Sequence, residues 1–138
     1  MIHGEIIELQ SQGFSELTDV TRYVQQILAR SGAESGIVNI FVIGSTASVS
    51  TIEYEPALNA DMRDKLEQLV PSTEHSRHSE TWGDDNGFSH MRATLMGPGI
   101  NVPFTEGRLI LGTWQQIVVI DHDNRPRERK LHVQVMGE

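Results

Sequence analysis

LILGTWQQIVVID, residues 109–121, decides the fold. Ile117, Val118, Val119 and Ile120 stand in a row, so the segment is apolar on both faces near its end. A strand of that kind belongs in the middle of a sheet, covered on both sides. Downstream, Asp123-Asn124-Arg125-Pro126 reads as a turn, and ERKLHVQVMG (128–137) alternates as the next strand. Upstream, Thr105-Glu106-Gly107 and Gly97-Pro98-Gly99 bracket INVPF (100–104), and FSHMRATLMG (88–97) reads as another strand, with the Asn86-Gly87 pair as its turn. Strands joined by such short connections pair antiparallel, because parallel pairing needs long crossovers.

The N-terminal half adds three strands and two helices. IHGEIIEL (2–9) is a first strand closed by Gly13. Leu17, Val20, Val24, Ile27 and Leu28 recur at helical spacing, with Thr18 and Asp19 at the start and Gly32 as the stop. GIVNIFVIG (36–44) is a continuous apolar run predicting a buried strand, and STASVSTIEY (45–54) alternates as a half-buried one. Pro56 permits a helix start, and Leu58, Met62, Leu66 and Leu69 mark a second amphipathic helix ending at Pro71. The expected architecture is α+β, a single domain over residues 1–138: an antiparallel β-sandwich or distorted barrel-like sheet with two packed helices.

At 138 residues the chain suffices for one domain with a hydrophobic core. No apolar run approaches the roughly 18–20 residues that span a bilayer. No basic leader precedes an apolar signal core, so the expected location is cytoplasmic. Without cysteine, thiolate chemistry is excluded and any metal must sit on nitrogen and oxygen. A formal charge of −8 has the wrong sign for tracking nucleic acid. The local basic run Arg125, Arg127, Arg129 and Lys130 reads as a solvated loop and strand entry.

Chemistry concentrates in WGDDNGFSHMRA (82–93). Read as a strand, this stretch projects His90 and Arg92 from one face beside the Asp84–Gly87 turn, a rigid platform for a site. His75 and His78 lie upstream, where a returning chain could bring one near His90 and, with a carboxylate, offer ligands to a divalent ion such as zinc. GSTAS (44–48) presents a glycine and hydroxyls able to line an oxyanion site, without the lysine of a phosphate loop or the second glycine of a nucleophile elbow. Trp114 is expected in the core or an interface, and the amide of Gln115 or Gln116 at a pocket or subunit contact.

Taken together, GSTASVSTIEYEP (44–56), HSETWGDDNGFSHMRATLMGP (78–98) and VPFTEGRLILGTWQQIVVIDHDNRPRERKLHVQVMG (102–137) resemble the YjbQ family, also labelled secondary thiamine-phosphate synthase. The resemblance covers nearly the whole chain and implies a small α+β domain that forms homotrimers. It further implies a transferase joining a pyrimidine pyrophosphate to a thiazole phosphate, assisted by zinc or magnesium. Its rival is a non-catalytic trimeric protein that binds a small anionic metabolite.

On the first reading His90, Arg92, Asp85 and Asn86 are catalytic and a phosphorylated metabolite contacts Ser45, Thr46, Arg108 and Gln115. His78 and His90 would ligate the metal. No nucleic-acid or membrane partner is expected. Relatives often carry a second histidine where this chain has Phe88, and other branches carry one where it has Ser45.

Overall fold

A computed structural model describes every residue from Met1 to Glu138. Strands β1 (Ile2–Ser11), β3 (Gly36–Ile43), β5 (Gly99–Thr105), β6 (Arg108–Leu109) and β8 (Arg127–Gly137) form one antiparallel sheet, ordered β1-β8-β3-β5-β6. Strands β2 (Glu16–Asp19), β4 (Ala47–Glu53) and β7 (Gln115–Asp121) form a second, ordered β2-β7-β4. The segment from 117 to 120 is therefore a central strand, and Ile117–Ile120 are buried in unbroken succession. Its two faces feed different cores. Ile117 and Val119 join the main cluster with Val38, Ile40, Val42 and Val133 of the larger sheet, and Val118 and Ile120 join Leu17 on the opposite side.

Helix α1 (Thr21–Ser31) closes the main core with Val24, Ile27 and Leu28, and Gly32 ends it in the left-handed conformation at φ 72°. The helix starts later than the apolar spacing suggests, because residues 16–19 pair with β7 as a strand. Asp19 instead receives the Thr21 amide and hydroxyl. Helix α2 (Pro56–Leu69) is capped by the Glu55 carboxylate and buries only Leu66 completely, leaving Leu69 70 % exposed.

Two corrections bear on the site. First, there are four helices rather than two: α3 (Arg77–Trp82) falls where the sequence suggested no element, and α4 (Gly87–Met96) takes the stretch read above as a strand. Asn86-Gly87 is the entry to α4, not a hairpin turn. Phe88, Ser89, Arg92 and Ala93 are buried at helical spacing while Met91, Thr94 and Leu95 face outward. The competing two-residue alternation of Met91, Ala93 and Leu95 loses to strong helix formers and to burial on one face.

Second, β3 is not buried on both sides. Ile37, Phe41 and Ile43 lie on the outer face of the five-stranded sheet, in cross-strand rows with Met136, His132 and Lys130 of β8.

Candidate functional site

Helix α3 ends at Gly83, whose φ of 71° turns the chain into the Asp84-Asp85 link to α4. Gly87 then allows α3 and α4 to touch: a Cβ there would lie 2.2 Å from Ser76 Oγ. The close approach sets the His78 and His90 rings edge to face, centroids 4.7 Å apart and planes at 66°. Asn86 is buried beneath them. In the amide orientation that satisfies both its ends, it donates to Asp84 Oδ1 at 3.1 Å and to His78 Nε2 at 3.2 Å.

These residues form one wall of a cleft of about 380 Å³. Gly44, Ser45 and Thr46 line the rest of it with Arg127, Arg129, Trp82 and Asp84. Beneath lies a buried ionic floor. Arg129 donates from Nε and Nη2 to Asp121, and from Nη2 to the Thr46 hydroxyl, which itself donates to Asp123. Burial alone would raise the Asp121 carboxyl, but Arg129, Ser11 and the Asp123 amide bring it below the ordinary carboxylate value. Asp123 is likewise held low: its hydrogen bonds from the Asn124 amide, Thr46 and Arg127 outweigh the cost of burial. Arg127 commits only Nε, to Asp123 at 2.8 Å.

The loop carries a second set of donors. The backbone N–H groups of Gly44, Ser45 and Thr46 make no hydrogen bond to a protein acceptor, and neither does the Ser45 hydroxyl. Gly44 holds φ 131°, and a Cβ on it would stand 2.8 Å from Arg129 Nη1. Successive unpaired amides in a turn make a concavity suited to an anion.

The structure thus brings His78, His90, Asn86, Ser45 and Thr46 together and separates the others. Arg92 is 1 % exposed and turned inward. It donates to Val70 O, Glu67 and Ser15 Oγ, so it is a structural tie between α4, α2 and the β1–β2 turn, not a ligand contact. Asp85 is exposed at φ 56° and absent from the cleft, where Asp84 stands instead. Arg108 sits on β6 at the edge of the larger sheet. Gln115 opens β7 at the surface and binds the Gly112 amide and Thr51 Oγ1, and Trp114 beside it is 71 % exposed rather than core.

Arg127, Arg129 and Asp84 were missed as site residues. A signal existed: Asp121 and Asp123 alternate at the end of one strand, and Arg127 and Arg129 alternate at the start of the next, across a short turn.

The donor set does not fit a resident divalent ion. The Nε2 lone pair of His78 takes the Asn86 amide, and no group of three or more His, Asp or Glu side chains is disposed to hold a metal. Phe88 does not stand where it would complete one. It is buried against Phe14, ring centroids 6.0 Å apart, and under the Arg92 guanidinium, 4.9 Å from its ring centre.

One histidine is buried outright: His122 follows β7 on the face that the three-stranded sheet turns to α4. Its ring nitrogens meet Ser15 Oγ at 2.6 Å and Ser48 Oγ at 2.9 Å. The Ser48 hydroxyl donates to Met96 Sδ at 3.8 Å, so it accepts from His122 Nε2–H, and Nδ1 then accepts from the Ser15 hydroxyl, whose oxygen takes the Arg92 guanidinium. Burial, reinforced by the Arg92 charge, lowers this imidazole to about 4.

A family model described as "UPF0047 protein YjbQ-like" matches residues 5–138. A UPF0047 protein of Methanothermobacter thermautotrophicus is 35 % identical over 137 residues, covering 99 % of this chain and 94 % of its own length. YugU, a UPF0047 protein of Bacillus subtilis, is 32 % identical over 133 residues, 95 % of this chain and 97 % of its own. Among solved structures, a YbjQ-like protein of unknown function from Sulfolobus solfataricus superposes with a TM-score of 0.90 at 32 % identity, over the full length of both chains. A YjbQ/UPF0047 protein of Clostridium acetobutylicum gives 0.87 at 27 %, covering 96 % of this chain and 99 % of that one.

Proposed function

Because the chain belongs to the UPF0047 family of YjbQ-like proteins, we propose that its cleft binds a small phosphorylated metabolite and transfers it by acid–base and electrostatic catalysis. The closest fit is the reaction of a thiamine-phosphate synthase, which joins a pyrimidine pyrophosphate to a thiazole phosphate. One observation carries this reading: the unpaired amides of residues 44–46 line the same cleft as Arg127 and the two imidazoles. When the carbon–oxygen bond to pyrophosphate breaks, the electron pair leaves on oxygen. Amides and a guanidinium already aimed at that charge stabilise it without reorganisation. His90, whose ring faces both the cleft and the open side of α4, supplies a proton to the leaving group. Asn86 and Asp84 hold His78 in place, and no step runs through a metal.

The second reading, binding without turnover, is favoured by the charge of the floor. Arg127 and Arg129 are already opposed by Asp123 and Asp121, so less positive charge is left for a departing diphosphate. On this reading the protein works in the cytoplasm as a homotrimer closed through the outer face of the five-stranded sheet, which carries two strips of exposed apolar side chains. Calorimetric titration with inorganic diphosphate, followed by incubation with the two thiamine precursors, separates the readings. Turnover lost in His90→Ala and Arg127→Gln supports the transferase, and diphosphate binding without turnover supports the second reading. Absence of diphosphate binding, or turnover unchanged in both variants, overturns the site.

A further inference from the structure

Behind the two imidazoles, on the side away from Ser45 and Arg127, lies a larger groove of about 740 Å³ between the end of α2, α3 and α4. His78 and His90 line both concavities, so they form the partition between them. Each volume falls within or near the roughly 300–1,000 Å³ typical of small-molecule sites.

The two spaces differ in chemistry. The cleft is walled by donors and charge, whereas the groove has one carbon side, Leu69 and Val70 from the end of α2 with Met91 and Leu95 one turn apart on α4, and a polar remainder that includes Glu74, His75 and Arg77. Leu69 is 70 % and Leu95 76 % exposed. Either alone would be an ordinary surface leucine, but here they border one concavity with Met91 and Val70. Val70 offers it little polar reach, since its carbonyl is taken twice by Arg92.

We propose that this groove receives the hydrocarbon body of the ligand whose phosphate occupies the cleft. The ligand is then an amphiphilic phosphate ester, with its connecting oxygen running past His78 and His90. This inference rests on the anion site proposed above, not on the two thiamine precursors, and narrows that site's ligand to one with an apolar body. Inorganic phosphate would fill one compartment only. A phosphate ester of an apolar alcohol fills both, and places the bond to be polarised beside the two imidazoles that line both concavities.

The test compares hexyl phosphate with inorganic phosphate by calorimetric titration of the intact protein, with Met91 methyl resonances as a second readout. Hexyl phosphate should bind at least about tenfold more tightly, the gain from burying roughly two methylenes, and should shift the Met91 methyl where inorganic phosphate does not. Leu95→Asp, at an exposed position, should shrink that advantage to about threefold or less while leaving inorganic phosphate affinity unchanged. Equal affinity for the two ligands, with phosphate binding still weakened by Arg127→Gln, overturns the groove and spares the cleft. An advantage that survives Leu95→Asp also overturns it, and so does a Leu95→Asp chain whose oligomeric state changes, since a second copy would then be the groove's occupant. Failure of both ligands to bind overturns the anion site and the groove together.

Discussion

The His78 and His90 rings meet edge to face at 4.7 Å although they belong to different helices, and the contact depends on Gly87, the first residue of α4, where that helix meets Ser76. Gly87→Ala would set a Cβ 2.2 Å from Ser76 Oγ and 2.6 Å from Ser76 Cβ. Ser76 caps α3 through Ser79 N at 3.1 Å, so α3 as a whole must retreat. Overpacking of this kind costs about 1–3 kcal/mol. The expected result is a lower denaturation midpoint together with loss of the nuclear Overhauser contact between the two rings. If the ring contact persists at full strength in Gly87→Ala, the proximity of α3 and α4 does not position His78.

Phe88 yields a prediction that the strand reading would have reversed. On a strand, a histidine at 88 would share a face with His90 and chelate. On α4 the two positions are roughly 200° apart around the axis, and Phe88 faces Phe14 and Arg92 instead. Phe88→His should therefore leave zinc affinity where it is in the unmodified chain. It should also lower stability by on the order of 2 kcal/mol, because a polar ring enters an apolar contact beside a guanidinium. A stoichiometric zinc site appearing in Phe88→His would show that the side chain at 88 reaches His90 after all.

These two cases show what the sequence could and could not disclose. The strand at 117–120 was legible because four successive apolar residues leave few alternatives, and the end of α1 was legible because Gly32 carries its own conformational signature. Helix α4 was not, since Met91, Ala93 and Leu95 satisfy a two-residue period while Phe88, Arg92, Ala93 and Met96 satisfy a helical one. Arg92 looked like a ligand contact for a related reason. Its partners Val70, Glu67 and Ser15 are scattered along the chain, and only the fold reveals that a charged residue is fully committed inside. The convergence of His78 and His90 was foreseeable as an option, and GSTAS was legible as an oxyanion-lining loop from its glycine and hydroxyls, but which amides of that loop stay unpaired is set by the fold.

His122 makes stability depend on acid. Its folded value of about 4 lies below the ordinary 6.5, so between those values the unfolded chain binds more protons than the folded one. Stability is therefore fully present above about 6.5 and is lost as pH falls toward 4. A shift of this size corresponds to about 3 kcal/mol. Asp121 and Asp123, also held below their usual range, add loss of the same sign at still lower pH. Denaturant midpoints measured across this range should fall steeply for the unmodified chain. In His122→Gln, destabilised overall, the part of the slope between 6.5 and 4 should flatten. An unchanged slope in that variant would assign the acid sensitivity elsewhere.

The outer face of the five-stranded sheet bears on assembly. Ile2, Met136 and Ile37 form one cross-strand row, and Ile6, His132 and Phe41 form another. All five apolar members are exposed by 42 % or more. Gly4, Gln134 and Asn39 run between the two rows, so the face carries two apolar strips about a polar one. Exposed apolar surface of this kind marks an interaction site, and the proposed homotrimer would cover it. Phe41→Glu places a charge in the second row, at a side chain that is 42 % exposed and outside the hydrophobic core. Light scattering should then report a mass near the 15.4 kDa of a single chain, against three times that for the unmodified protein, with the far-ultraviolet circular dichroism preserved. A trimer that survives Phe41→Glu would show that its interface lies elsewhere. An unmodified chain that runs as a monomer would remove the trimer from the proposal.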